Sequence, residues 1–348
     1  MPVIDLHIDT LVRGLEPGSD LALSTAGAMA DLPRLAAADV RVAVWAACDE
    51  VHLAGTPSST ARVLRMLAVG RDLAERHPEG VRLVRHAEDL RACLAGGPVG
   101  MLLAVEGAHA LGGSLEMLDA LEALGVRILT LTWNNANPFA TGSRVAGNDG
   151  GLTPLGAELL ARAAELGMLI DLAHASPRTF AEAVPRLAHP PLVSHAACAA
   201  LRRHPRNLDD DQLRLLGASG GLIGITFCRA FLAEVPAEVG FEQIVAHLRH
   251  ALKVAGEESV ALGSDFDGIT TLPAGLRGCE DWPRLWDAMR QAGLGPAAIE
   301  RVAWRNAEQF LLRYLPGVSG EAAGTSAAGA AATAAPGTPP RHREEDRG

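Results

Sequence analysis

The sequence predicts an α/β protein with the architecture of a (β/α)8 barrel. Short apolar, β-branched segments alternate with amphipathic helical segments about eight times in roughly 310 residues, which is typical of this fold. Aromatic residues make up only 4% of the chain, whereas Ala, Leu, Val and Gly are abundant, which favours helices packed tightly on a parallel sheet. A doubly wound open sheet is the alternative, but no G-x-G-x-x-G follows the first strand.

The positions of the elements follow from the hydrophobic periodicity. Strands are predicted near 3–9, 40–47, 99–105, 126–132, 168–173, 191–194, 221–227 and 259–264. Helices are predicted near 57–76, 114–124, 153–166, 177–187, 209–217 and 240–255. A further helix-rich segment, 277–295, contains Trp282 and Trp286, and we expect it to pack on the barrel rather than on a second subunit.

The composition divides the chain into two parts. Residues 1–315 have the pattern of the barrel domain, whereas 316–348 are rich in Ala, Gly, Thr and Pro and end in a charged segment. Because this tail cannot bury enough apolar surface to offset its ordering entropy, we predict that it is disordered. Its charged end is also unlike a lipid-anchor signal, which requires a hydrophobic tail.

Charge and cysteine usage narrow the class of protein. A net charge of −10 argues against a nucleic-acid partner, because binding phosphate requires a basic face. No apolar run reaches the ~20 residues that span a bilayer, and no signal peptide is visible. We therefore expect a soluble, cytoplasmic protein with no membrane partner. Five widely spaced cysteines without a C-x-x-C are typical of reduced thiols: Cys48, Cys93, Cys198, Cys228 and Cys279.

The first strand ends in a pair of candidate metal ligands. His7 and Asp9 are two residues apart, so in a strand they point to the same face. Alone, a His-x-Asp sequence is more often a buried ion pair that closes a strand. The remaining strands shift that balance, because several more of them also end in a residue type that binds metals.

Other strand ends supply the rest of the set. Glu106 ends the third predicted strand, His174 follows the fifth, His195 follows the sixth, and Asp265 follows the last. In a barrel these ends meet at one rim, where the active sites of this fold are built. A set of nitrogen and oxygen ligands without thiolates predicts two divalent ions that share Glu106, with zinc favoured and Mn2+ or Co2+ as substitutes.

Neighbouring polar residues have weaker assignments. Trp133, Asn134 and Asn135 form a polar and aromatic cluster after the fourth strand, for which loop packing and substrate contact are equally good interpretations. Asp265 is the expected proton shuttle, and Asp267 is expected to cap the following turn. His109 lies near the site but off the strand end. The other histidines are expected at the surface: His52, His77, His86, His189, His204, His247, His250 and His342.

Several motifs, in this order, resemble the membrane dipeptidase (renal dipeptidase) family of the amidohydrolase superfamily, peptidase family M19. The resemblance runs from residue 3 to about 314. It comprises Ile4-Asp5-Leu6-His7-Ile8-Asp9, Val105-Glu106-Gly107, Leu129-Thr130-Leu131-Thr132, Gly151-Leu152-Thr153-Pro154-Leu155-Gly156, Ile170-Asp171-Leu172-Ala173-His174-Ala175-Ser176, Val193-Ser194-His195, Arg206-Asn207-Leu208 and Gly263-Ser264-Asp265-Phe266-Asp267-Gly268.

The resemblance implies a zinc-dependent dipeptidase that often accepts a D-residue at the carboxyl-terminal position. It implies that His7 and Asp9 hold one ion, that His174 and His195 hold the other and that Glu106 bridges them. Asp265 would be the acid/base that serves a hydroxide held between the ions. Arg206 would grip the substrate carboxylate, which a planar guanidinium does well.

Two features limit what the resemblance implies. Trp133 stands where animal members of the family carry a substrate-contacting histidine, so Asn134, Asn135 or the metals would have to cover its role. Other binuclear amidohydrolases, such as an N-acyl-amino-acid deacylase or a lactonase, need the same ions and base and are the alternative function. A non-catalytic binder is disfavoured, since it has no use for Asp265. Oligomeric state is left open, with a homodimer as one candidate.

Overall fold

The strands form one parallel sheet that closes on itself. This structure, a computed structural model, describes residues 1–49 and 57–318. The strands are β1 (Val3–Ile8), β2 (Val40–Cys48), β3 (Val81–Leu83), β4 (Val99–Glu106), β5 (Val126–Thr130), β6 (Leu169–Asp171), β7 (Leu192–Ala196), β8 (Leu222–Ile225) and β9 (Val260–Leu262). Their order is β2-β1-β9-β8-β7-β6-β5-β4-β3, and the pairing of β2 with β4 closes an eight-stranded barrel. The predicted (β/α)8 barrel is therefore confirmed.

Helices surround the barrel. They are α1 (Leu32–Ala37), α2 (Pro57–Arg76), α3 (Ala87–Leu94), α4 (Glu116–Ala123), α5 (Pro154–Glu165), α6 (Pro177–Ala183), α7 (Asp210–Ala218), α8 (Arg229–Leu232), α9 (Phe241–Ala255), α10 (Trp282–Gln291), α11 (Pro296–Glu300) and α12 (Asn306–Tyr314). Short 3-10 turns lie at Thr10–Leu15, Ala108–Leu111, Val184–Arg186, Pro236–Glu238 and Cys279–Asp281, and a π-helical turn lies at Arg301–Arg305. Local caps set several starts: Thr153 and Ser176 each accept a backbone N–H in the first turn and are followed by proline.

The core has two parts, which the strand pleat separates. One part fills the barrel with inward-pointing residues such as Ile4, Leu6 and Leu102, and Phe310 and Leu311 of α12 pack against it. The other lies between the outer face of the sheet and the helices. Burial of apolar side chains at ~25 cal/mol per Å2 is the main stabilising contribution to such a layered fold. Polar side chains lie at the carboxyl ends of the strands.

The predicted elements agree with the structure to within a few residues, and α2 has the predicted bounds. The short strand β3 and helices α1, α3, α8, α11 and α12 were not predicted. The expectation that Trp282 packs within the chain is confirmed: it is 1% exposed and contacts the rings of Phe227 and Phe266. All five cysteines are free thiols.

The surface prediction was wrong for His189 and His247, which are both buried. Nε2 of His189 accepts the N–H of Ile170 at 2.8 Å. His247 accepts the N–H of Cys198 through Nδ1 at 3.0 Å and donates from Nε2 to the carbonyl of Leu232 at 3.1 Å. Each imidazole therefore forms hydrogen bonds with backbone groups of segments that are distant in the sequence. His52 and His342 lie outside the described residues.

The end of the described chain still contacts the barrel. The carbonyl of Pro316 accepts the N–H of Ala87 at 3.0 Å. Most of the predicted disordered tail, 316–348, lies outside the described residues, so its disorder stays a prediction. No helix in the described part of the chain combines the length and apolar character needed to cross a bilayer.

Candidate active site

The carboxyl ends of four strands, β1, β4, β6 and β7, bring the predicted metal ligands together. Oε1 of Glu106 lies 2.9 Å from Nε2 of His174, 3.3 Å from Nε2 of His195 and 3.8 Å from Nε2 of His7. Oδ2 of Asp9 lies 3.3 Å from the same nitrogen of His7. One carboxylate oxygen thus faces three imidazoles that come from three different strands.

These side chains form two candidate metal groups that share Glu106. His7, Asp9 and Glu106 form one group, and Glu106, His174 and His195 form the other, with all donor atoms of a group within 4.8 Å of one another. A third combination, His7, His195 and Asp265, satisfies the same limit. All the donors are oxygen or imidazole nitrogen, the set that suits zinc and related divalent ions.

Irregularities in β1 and β7 aim two of the histidines. In the β1–β2 pair the register shifts between Asp5 and Ile8. Leu6 therefore belongs to the barrel interior and Ile8 to the outer core, although the two are an even number of residues apart. A similar shift between Val193 and Ala196 includes His195. Bulges of this kind commonly re-aim a side chain beside an active site.

Unusual backbone conformations lie at the same rim. His174 and Asp265 have positive φ angles of 65° and 67°, which are costly for residues other than glycine. Gly268 leaves room beside them: a Cβ there would lie 2.1 Å from Oδ2 of Asp9 and 2.7 Å from Oδ1 of Asp265. The fold thus retains local strain where the carboxylates crowd together.

Hydrogen bonds fix the orientation of the imidazoles. Nδ1 of His174 donates to Oδ1 of Asn134 at 3.1 Å, and Nδ1 of His195 donates to Oγ of Ser194 at 2.9 Å. Ser194 in turn donates to Oδ2 of buried Asp171 at 2.6 Å. Protonation at Nδ1 leaves the Nε2 lone pairs, which face Glu106, available as ligands.

Asp171 and Ser194 are functional residues that sequence reasoning missed. Asp171 also accepts the hydroxyl of Thr130 at 2.7 Å, so its carboxylate ties β5, β6 and β7 together beneath the site. Both residues stood inside the motifs that carry the family resemblance. A charged residue inside an apolar strand was the signal that could have revealed Asp171, because such a group is buried only when its oxygens find donors.

The electrostatics of the site favour a cation. Burial by itself would raise the pKa of Glu106, but the charge of His7, followed by the close approach of His174 and His195, lowers that pKa well below its ordinary range. Burial would likewise lower the pKa of His7, yet Asp9 and Glu106 outweigh it and raise the pKa to about 10. In the metal-free protein a proton on His7 supplies the positive charge that these carboxylates require.

The other two imidazoles, His174 and His195, are candidate ligands in the neutral form. Burial, followed by the charge of Arg206, lowers the pKa of His174 to about 3. Burial and the charge of His7 lower the pKa of His195 well below its ordinary value. Nε2 of His7 is buried and, among the described residues, makes no hydrogen bond of normal geometry, although Oδ2 of Asp9 lies 3.3 Å away. A metal ion binds deprotonated imidazole nitrogen, which His174 and His195 offer. A metal ion would also give the buried Nε2 of His7 a partner, and leaving such a group unpaired is costly. The residues present therefore fit a pair of divalent ions.

Asp265 differs from the other carboxylates. Burial and the negative charge of Asp9 raise the pKa of Asp265 well above its ordinary value. A carboxyl group with a raised pKa beside a ligand set is suited to accept and return a proton. The sequence had suggested that Asp267 caps the turn that follows it, but its carboxylate binds other segments. It accepts the hydroxyl of Thr10 at 2.7 Å and the N–H of Met29 at 3.0 Å.

The candidate metal groups open into a cavity of about 910 Å3. Trp133, Asn134 and Arg206 line it, as do Asp9, Glu106 and Asp265. Trp133 stacks on His174 with ring centroids 5.9 Å apart. Asn134, for which substrate contact was one interpretation, also contacts Nδ1 of His174 through its oxygen. His109 is buried in the turn after Glu106 and belongs to neither metal group.

Arg206 is buried at the wall of this cavity. It is 3% exposed, its Nη2 donates to the carbonyl of His195 at 3.1 Å, and its guanidinium lies 5.3 Å from the ring centroid of Phe231. Nε of Arg206 has no hydrogen-bond partner within the described ranges, 1–49 and 57–318. A buried guanidinium with a spare donor beside a cavity is suited to bind a carboxylate.

A parallel (β/α)8 barrel with histidine, aspartate and glutamate side chains converging at the carboxyl ends of its strands defines the class of metal-dependent hydrolases. The model of the membrane dipeptidase family, peptidase family M19, matches residues 1–318. The chain belongs to this family.

Individual relatives agree with this assignment. An uncharacterized dipeptidase from Schizosaccharomyces pombe is 36% identical over 236 residues, which cover 66% of this chain and 57% of that protein. The crystal structure of the metallopeptidase dipeptidase AC matches with a TM-score of 0.84 and 28% identity, over 90% of this chain and 99% of the other. A metallopeptidase from Rhodobacter sphaeroides, liganded with a phosphinate mimic of the dipeptide L-Ala-D-Ala, matches with a TM-score of 0.82 and 28% identity, over the same shares.

Proposed function

We propose that this protein is a zinc-dependent dipeptidase that uses two ions per chain. The observation that carries the proposal is the sharing of Glu106 by two ligand groups, with the carboxylate of Asp265 beside them. His7 and Asp9 would hold one ion, His174 and His195 the other, and Glu106 both. Mn2+ or Co2+ could replace zinc at such oxygen and nitrogen ligands. Membership of a dipeptidase family supports the reaction class.

Bound ions would supply Lewis-acid polarisation of the scissile carbonyl and activation of water. The protein's own residues would do the rest. The Asp265 carboxylate would take the proton of the attacking water and return it to the leaving amine, for which its raised pKa suits it. Asn134 and Ser194 would keep the imidazoles in the tautomer that presents Nε2. Trp133 would limit access of water from its side of His174.

Arg206 would bind the carboxylate of the substrate. Its depth in the cavity and its unpartnered Nε support this role. Arg206→Ala should lower kcat/KM roughly tenfold to hundredfold, since a charged hydrogen bond is worth ~1.5–3 kcal/mol. Steady-state kinetics on a dipeptide would measure the loss, with the melting temperature as a check of folding. An unchanged kcat/KM would remove Arg206 from the binding site.

We also propose that dipeptides with a carboxyl-terminal D-residue are among the substrates. The dipeptide mimic bound to the Rhodobacter sphaeroides relative, L-Ala-D-Ala, supports this extension. The cytoplasmic location and the homodimer stay predictions from the sequence.

The first experiment is metal analysis of the purified protein together with assays of L-L and L-D dipeptides, an N-acylated amino acid and a lactone. About two zinc per chain and turnover of dipeptides would support the proposal. Turnover of only the acylated amino acid or the lactone would identify another binuclear hydrolase on the same scaffold. One metal or none, with no turnover after zinc is added, would mean that the ligand assignment is wrong.

A further inference from the structure

The cavity of the candidate site is lined by an exposed arginine, Arg144, in addition to the buried Arg206. Arg144, His204 and Arg206 all line it. Burial, followed by the charges of Arg202, Arg206 and Arg144, lowers the pKa of His204 to about 4, so these groups lie close enough to influence one another. The basic cluster is therefore Arg144, His204 and Arg206.

Arg206 and His204 are held in place by each other and by Phe231. Nδ1 of His204 accepts the N–H of Arg206 at 3.2 Å, and the ring centroids of His204 and Phe231 are 4.5 Å apart. The Arg206 guanidinium lies over the same Phe231 ring. Because Nδ1 of His204 is an acceptor, the neutral imidazole carries its proton on Nε2 and offers a donor.

Arg144 is placed differently. Its side chain is exposed at the cavity, and within the described part of the chain it makes no ion pair. Its backbone position is well defined, since the preceding residue, Ser143, donates its N–H to the carbonyl of His174 at 2.7 Å. Arg144 is thus one residue away from a direct contact with a candidate metal ligand, and its charge is available to a bound molecule.

We propose that Arg144, assisted by His204, binds an acidic side chain of the substrate, so that this enzyme prefers dipeptides ending in aspartate or glutamate. The inference rests on the proposed function, in which Arg206 takes the α-carboxylate. A substrate with one carboxylate leaves Arg144 without a partner, whereas a second carboxylate gains a charge-assisted hydrogen bond. Arg144 is the specificity-determining residue of the pair.

The test compares L-Ala-L-Asp with L-Ala-L-Asn and the corresponding dipeptides with a carboxyl-terminal D-residue, because Asp and Asn differ in charge but hardly in shape. With zinc-loaded wild-type protein, kcat/KM should favour the acidic member of a pair by about tenfold, and the preference should shrink as salt screens the exposed Arg144. Arg144→Gln should bring the ratio close to one, and Arg144→Lys should retain part of it. Arg203→Gln, which changes an exposed arginine outside the cavity lining, should leave the ratio unchanged.

Binding separates this inference from the proposed function. Calorimetry on the zinc-loaded Asp265→Asn variant gives the dissociation constants of both dipeptides with and without Arg144→Gln. Equal kcat/KM for the Asp and Asn dipeptides would overturn the acidic preference and leave the dipeptidase intact. If the acidic dipeptide binds more tightly in an Arg144-dependent way but the wild-type protein turns over no dipeptide, the acidic site would be supported and the dipeptidase activity would be overturned. Neither turnover nor tighter binding would overturn both.

Discussion

At the scale of single residues, the candidate centre is held together by side chains that lie outside the metal groups themselves. Asn134 and Ser194 decide which nitrogen of His174 and His195 is free, and Asp171 holds Ser194. Mutation of such partners of metal ligands typically costs ~10–100-fold in metal affinity or activity. Two residue-scale predictions separate the group that moves a proton from the groups that hold ligands.

Asp265→Asn should retain both metals and lose most of the turnover. The amide keeps the shape of the side chain but cannot accept the proton, and general base catalysis is typically worth ~10²–10⁴-fold. Metal content by atomic spectroscopy and kcat on a dipeptide are the two measurements. Loss of one metal ion would instead identify Asp265 as a ligand, and full activity would assign the proton to another group.

Asn134→Leu should weaken metal binding by roughly 10–100-fold, because His174 loses the acceptor that fixes its tautomer. Asn134→Asp is the matched variant, since it keeps an acceptor oxygen at the same distance from the backbone and should retain most of the affinity. Competition with a chelator would measure both. Equal losses in the two variants would show that Asn134 acts through substrate contact or packing rather than through His174.

At the scale of elements, the close approach of β7, β8 and β9 accommodates the irregular end of β7. The carbonyl of Ser194 points at two glycines: a Cβ on Gly263 would lie 1.9 Å from it and a Cβ on Gly224 2.0 Å from it. Real Cβ atoms do not approach an oxygen so closely. The glycines therefore permit the register shift that directs His195 toward Glu106.

Gly263→Ser should destabilise the protein by more than ~2 kcal/mol and reduce the bound metal, because β7 must move to relieve the overlap. Gly295→Ser is the control: nothing lies within 4 Å of its added Cβ, and serine is a good residue at the start of a helix such as α11. Urea unfolding and metal analysis would compare the two. Similar stability for both variants would contradict the role assigned to Gly263.

At the scale of the whole molecule, two buried neutral histidines outside the candidate site, His189 and His247, contribute to a dependence of barrel stability on pH. Burial lowers the pKa of His247 to about 4 from its ordinary 6.5, and burial also lowers the pKa of His189. Both rings are hydrogen-bonded to backbone in the neutral form. In the unfolded chain these two imidazoles bind protons near pH 6.5, whereas in the folded chain they stay neutral until the pH is lower.

The free energy of unfolding should therefore be highest above pH ~6.5 and should fall as the pH is lowered toward ~4. Urea unfolding at pH 7.5, 6 and 5 measures the slope. His247→Gln removes one of the two groups and should make the slope shallower, although the variant is less stable throughout. His77→Gln, at the half-exposed end of α2, serves as the control. Parallel slopes for wild type and His247→Gln would contradict the assignment.

The sequence by itself determined where the strands lie and which residue types end them. The periodicity of hydrophobic residues and the content of β-branched residues are local properties. The eight barrel strands could therefore be located without tertiary information. Parallel strands necessarily bring their carboxyl ends to one rim, and this alone placed His7, Glu106, His174, His195 and Asp265 in one neighbourhood. The bounds of α2 were equally local.

Only the tertiary structure decided how these side chains meet. The register shifts in β1 and β7, the left-handed backbone of His174 and Asp265, and the contact of Asn134 with His174 depend on segments far apart in the chain. The same holds for His189 and His247, whose partners lie 19, 49 and 15 residues away. A polar residue in a sequence pattern shows its type but not its partner, and burial makes the partner decisive because an unpaired buried group is costly.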